Sequence, residues 1–91
     1  MVEYERKLYR TIISILAYID RYKRSGHSPY TLAATSIYAG EIALSKVEGR
    51  NPMFSQRAVS KSTDVAEYTI REQYGKLFRD AVLSFLSQIN C

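Results

Sequence analysis

The sequence predicts an all-α protein, and three observations carry that expectation. Apolar residues recur at three- and four-residue steps through long stretches, helix-start and helix-stop residues stand at the ends of those stretches, and no segment calls for a β-strand. In "EYERKLYRTIISILAYIDRYKRSG", Tyr4, Leu8, Ile12, Ile15, Leu16, Ile19 and Tyr22 form one stripe, while Arg6, Arg10, Asp20, Arg21 and Arg24 fall mostly on other faces. That stripe predicts a long first helix. Gly26 stands just beyond it, where a left-handed cap is wanted, and Lys23 and Arg24 complement the negative end of the helix dipole.

A second helix begins in "HSPYTLAATSIYAGEIALSK". Ser28 suits its N-cap and Pro29 its first turn, where a missing N–H leaves nothing unpaired. Ala33, Ala34, Ala39, Gly40 and Ala43 are small enough to let neighbouring helices approach, and Ile37, Ile42 and Leu44 add apolar bulk. "VEGRNPMF", residues 47–54, reads as the one substantial loop because Gly49, Asn51 and Pro52 interrupt any regular pattern. Ser55 then caps a short third helix carrying Val59, which Ser62, Thr63 and Asp64 end. Asp64 with Glu67 three residues later has the spacing of an N-terminal cap, so a fourth helix is expected from Val65 or Ala66. Ile70, Tyr74, Leu77, Phe78, Ala81, Val82, Phe85, Leu86 and Ile89 extend one stripe towards the C-terminus, with Gly75 and Asp80 as points where it bends or stops.

Composition narrows the function classes. At 91 residues and 46% hydrophobic, the chain is expected to form a single domain spanning residues 1–91. Cys91 is the sole cysteine, which excludes an internal disulfide and fits a reducing, cytoplasmic compartment. No apolar run is long enough to cross a bilayer, so no membrane association is expected. The net charge of +4 favours an anionic partner such as nucleic acid. His27 is the sole histidine, with no cysteine or second histidine at ligand spacing, and no phosphate cradle or nucleophile elbow appears. No enzyme activity, metal or cofactor is therefore expected.

The stretch "SQRAVSKSTDVAEYTIREQYGKL", residues 55–77, holds a short helix, a polar break and a longer helix. The same pattern suits a DNA-binding helix-turn-helix over about residues 55–78 and an ordinary helical corner, and spacing leaves both open. If the fourth helix buries Ile70, Tyr74 and Leu77, then Tyr68, Arg71, Glu72 and Gly75 share its outer face. Arg71 there suits bidentate pairing with guanine, and Tyr68 suits contact with base edges or sugar.

Through Ser55, Gln56, Arg57, Val59, Val65, Ala66, Glu67, Thr69, Ile70, Arg71 and Tyr74, this stretch resembles the end of the second cyclin repeat of archaeal transcription factor B and its eukaryotic relative, transcription initiation factor IIB. Upstream, "GHSPYTLAATSIYAGEIA" is similar to a second motif of that family through Gly26, Ser28, Pro29, Leu32, Ala33, Ala34, Ile37 and Tyr38. The two motifs stand in the family's order and cover residues 26–77.

The resemblance implies a partial cyclin-box-like domain that ends in a helix-turn-helix, binds duplex promoter DNA and touches the TATA-binding protein. It implies that Tyr68 and Arg71 read bases and that Gln56 and Arg57 lie near phosphate; Lys76 joins them as a candidate DNA contact. Ala33, Ala34, Val59, Val65, Ile70 and Tyr74 are implied to be core. The alternative is a cyclin-like module that contacts the TATA-binding protein or another transcription component without reading DNA. Three departures from the family pattern bear on the site: Tyr68 replaces a small apolar residue, Asp64 a turn glycine, and Glu72 introduces a carboxylate. The loop 47–54 is longer than the family's. Paired CxxC knuckles are missing, and the first cyclin helix has no counterpart, so recruitment of polymerase in the family manner is not expected. The segment "RDAVLSFLSQI", the main part of a C-terminal extension over about residues 79–90, is expected either to fold back on the helix of Leu8, Ile12 and Leu16 or to join its own copy in a homodimer, which the two-fold habit of helix-turn-helix proteins favours.

Overall fold

In the computed structural model, which describes residues 3–19 and 27–89, every regular element is helical. Helix α1 spans Glu3–Leu16, α2 Pro29–Glu48, α3 Gln56–Thr63 and α4 Glu67–Gln73. A π-helical turn at Tyr74–Phe78 carries α4 without a break into α5, Arg79–Ile89.

Helix α1 opens with Glu3 and Glu5 at its positive end and turns Thr11 and Ile15 inward. After Leu16 the backbone tightens: the Tyr18 N–H donates to the Ile15 carbonyl and the Ile19 N–H to that of Leu16, each at 3.0 Å. The α-helix is thus shorter than the stripe predicts. Tyr22, Lys23, Arg24, the expected Gly26 cap and Cys91 lie outside the described residues.

Helix α2 starts as its sequence dictates. Ser28 Oγ accepts the Tyr30 N–H at 3.2 Å, and Pro29 occupies the first turn. It ends on Gly49, whose φ of 67° lets the Arg50 N–H reach back to the Ser45 carbonyl at 3.0 Å. Val47 and Glu48, expected in the loop, are its last residues.

Two apolar clusters share α2. In the larger, Ile15, Ile19, Ala39, Ala43, Phe78, Ala81 and Val82 are buried; in the smaller, Ala34, Val59 and Ile70. Tyr38 and Tyr74 meet edge to face at their junction, ring centres 5.2 Å apart. Val65 and Tyr74 join these clusters as partly buried residues, whereas Ala33, expected in the core, is exposed. Leu32 faces one cluster and Ala34 the other, so the residue between them points to solvent.

The C-terminal stripe is used within the chain. Val82 is buried, Phe85 and Leu86 pack on the larger cluster, and Ile89 is 47% exposed. Within the chain α5 lies against α1 and α2, the fold-back arrangement of the two expected for this stripe.

Gly40 is where α1 presses on α2. A Cβ there would lie 2.6 Å from Ile12 Cγ1 and 3.1 Å from Leu8 Cδ1. Gly40→Ala in a helix interior would ordinarily gain about 1 kcal/mol. Here Ile12 is β-branched and stiff in its helix, so overpacking of about 1–3 kcal/mol outweighs that gain. A net loss of about 1 kcal/mol is expected, read as a lower urea midpoint at unchanged slope.

Candidate nucleic-acid interface

The turn between α3 and α4 is built from local chemistry. Ser55 Oγ accepts the Ala58 N–H at 3.2 Å and starts α3. Thr63 Oγ1 donates to the Val59 carbonyl at 2.7 Å and accepts the Val65 N–H at 3.3 Å, so one hydroxyl ends α3 and steers the chain onward. Asp64 adopts φ 61°, the left-handed region that favours glycine and that Asp tolerates, while its N–H donates to the Ser60 carbonyl. Asp64 therefore caps the end of α3. The expectation that it starts α4 is corrected: Ala66 takes that place, with no side-chain hydrogen bond.

With Val59 and Ile70 buried against Ala34, α4 presents its other side to water. Tyr68 is 61% exposed, and Arg71 and Lys76 are exposed as well. These groups are linked. The Tyr68 hydroxyl donates to Glu72 Oε2 at 2.6 Å, Lys76 Nζ lies 3.2 Å from Glu72 Oε1, and the Arg71 guanidinium sits over the Tyr68 ring at 5.6 Å. The Tyr68 hydroxyl, bonded to the Glu72 carboxylate, is held above its ordinary range and stays a donor. Glu72 is held below the carboxylate range by Tyr68 and then by Lys76.

Gln56 and Arg57 lie elsewhere, in an open groove with Tyr38, Pro52, Met53, Phe54 and Glu67. Gln56 is half-buried; Arg57 is exposed and makes no ion pair with a described residue. Glu67 opens α4 and lines the same groove.

A second polar cluster escapes the sequence reading. Glu41 is fully buried, yet it accepts the Tyr4 hydroxyl at 2.7 Å, Arg50 Nη1 at 2.6 Å and the Met53 N–H at 2.6 Å. Burial pushes its carboxyl up, but Arg50, Met53 and Tyr4 together outweigh that and hold it below the usual range. Arg50 also pairs with Glu48, which pairs with Lys7. The cluster ties α1, α2 and the loop after Gly49 together, and so fixes the wall of the groove beside Met53. One signal was present: Glu41 is the one charged residue between Pro29 and Ser45.

His27 is exposed, with Nδ1 3.2 Å from Gln73 Nε2. Among the described residues no group of three or more His, Cys, Asp or Glu is placed to hold a metal ion, and no helix is long and apolar enough to cross a membrane. No protein-family model matches the chain, and no curated protein or solved structure matches it.

Proposed function

We propose that the chain is a duplex DNA-binding module related to the core-domain repeat of transcription factor B, one that binds or modulates promoter complexes through α3 and α4. One observation carries this reading: Tyr68 and Arg71 on α4, and Lys76 in the π turn that continues it, are exposed just after a left-handed turn, while Ile70 on α4 is buried. A helix whose inner side is fully used for packing and whose outer side carries Arg and Tyr suits insertion into the major groove. The net charge of +4 has the right sign for phosphate. In this reading Arg71 pairs with guanine, Tyr68 packs on base edges or sugar, Gln56 and Arg57 serve the backbone, and Lys76 borders the interface while paired with Glu72. The cyclin-like arrangement of the remaining helices belongs to the same proposal.

The test is selection from a random duplex pool followed by salt titration. Arg71→Ala is expected to weaken the selected site roughly tenfold and relax one base position. Arg57→Ala is expected to weaken all sequences alike. An Arg71→Ala profile identical to the parent's would remove Arg71 from base reading.

A protein-docking reading, in which the chain contacts a TATA-binding protein without reading DNA, has one feature in its favour. Pro52, Phe54 and the 61%-exposed Met53 border the groove of Gln56 and Arg57, an apolar rim better suited to protein than to phosphate. Capture of a TATA-binding protein by a chain with no duplex affinity would select it.

A further inference from the structure

The outer face of α4 carries a carboxylate at its centre. Glu72 stands one helical turn from Tyr68 and one from Lys76 and engages both, at 2.6 and 3.2 Å. Tyr68 in turn lies under Arg71. The four groups therefore engage one another before any ligand arrives, and what approaches the Glu72 carboxylate itself must suit a negative charge. A phosphate does not: it would approach Lys76 against the repulsion of a carboxylate already paired with that ammonium. A base amino group does, because a carboxylate accepts it directly. In the major groove cytosine offers such a donor at N4, whereas adenine sets its own N7 acceptor beside the amino group and guanine shows acceptors only. Arg71, one residue away, has the opposite preference and suits guanine.

We propose that Glu72 is a specificity residue of this interface, selecting cytosine in the major groove and suppressing sequence-independent binding by keeping Lys76 paired. The proposal rests on the duplex-binding reading above and adds to it a second base preference and a restraint on phosphate contact. The restraint follows from the same geometry. Loss of the carboxylate charge frees the Lys76 ammonium, which is 79% exposed and on a flexible stem, to reach a phosphate. Glutamine at this position keeps the shape and an acceptor for Tyr68 but carries an amide donor, which removes the selection against bases that present acceptors.

The experiment compares wild type, Glu72→Gln and Glu72→Gln/Lys76→Met, each checked for folding by circular dichroism, in duplex selection and in binding to random duplex across a salt series. Glu72→Gln is expected to lose a cytosine preference of roughly tenfold. It is also expected to bind random duplex more tightly, with the slope of log K against log salt steeper by about 0.9, the signature of one added phosphate contact. The double variant returns the slope to that of the wild type. If the wild type selects a sequence that Arg71→Ala disturbs, yet Glu72→Gln leaves both base profile and slope unchanged, the proposal is overturned, duplex binding stands, and Glu72 merely braces its helix. If no variant binds duplex even at low salt, the duplex-binding reading falls and this proposal with it.

Discussion

Phe78→Ala is expected to lower the unfolding free energy by about 4 kcal/mol, a large share of the roughly 5–15 kcal/mol that stabilises a domain. Phe78 is wholly buried among Ile15, Ile19, Ala39, Ala43, Ala81 and Val82. Three of those neighbours are alanines, which have no side chain to swing into the space a lost ring leaves. The cost of such a truncation grows with the cavity that survives relaxation, so this site belongs at the expensive end. Phe78→Leu keeps most of the volume and is expected to recover much of the loss. Urea unfolding of the three proteins checks this. A Phe78→Ala midpoint close to the wild type would mean that α5 closes the gap by moving, and would remove Phe78 from its place as the main filler of the larger cluster.

Glu41→Ala is expected to be destabilising by about 3 kcal/mol at neutral pH, since it strips Tyr4, Arg50 and the Met53 N–H of a shared, buried acceptor. The thermal midpoint should fall by roughly 15 °C. The pH dependence identifies the group. Glu41 has its folded pKa below the unfolded value of about 4.3, so its contribution is complete above that pH and is lost as the pH falls through the folded value. Arg50→Met removes the cation and leaves burial less opposed, which raises the carboxyl relative to the wild type. The stability gap between wild type and Arg50→Met should therefore be widest near neutrality and close on acidification. Exposed Glu48, also held low by Arg50, adds a component of the same sign. Repeating the comparison in a Glu41→Gln background separates the two, and a gap that stays constant between about pH 7 and about pH 3 would exclude both carboxylates.

The helices were legible because their signals are local. Ser28 with Pro29, Gly49 and Ser55 each satisfy backbone groups within a few residues, and the stripe of α1 follows the helical period. Asp64 was misread because aspartate suits both a left-handed helix end and a helix start; only its φ of 61° decides between them. The stripe through Tyr74 and Leu77 assumes about 3.6 residues per turn. The π turn, where the Arg79 N–H donates to the Tyr74 carbonyl, adds a residue there, and Tyr74 and Leu77 are only partly buried while Phe78 is wholly so; Gln73 is buried because it stands three residues after Ile70 on the inner face of α4. The apolar face of α5 was visible, but a stripe states that it will be covered and not by what. In the candidate site, the outward placement of Tyr68 and Arg71 follows from the burial of Ile70, and the Glu72 links follow from four-residue spacing. The Glu41 cluster joins residues 41 positions apart at its widest hydrogen bond, that of Lys7 with Glu48, a distance no local rule spans.

Because α2 serves as a common wall for two unequal clusters, the molecule is not equally resistant to opening everywhere. Among the described residues the half containing α3 rests on Ala34, Val59 and Ile70, while α1 and α5 are held by the larger set around Phe78. Local opening free energy follows the apolar contact available to each part, so amides of α3 and the first turn of α4 should exchange with solvent through excursions that leave α1, α2 and α5 closed. Any ligand that grips α3 and α4 together would then register first as slowed exchange in that half. Part of its binding free energy would be taken up in ordering a surface that the free protein keeps only loosely shut.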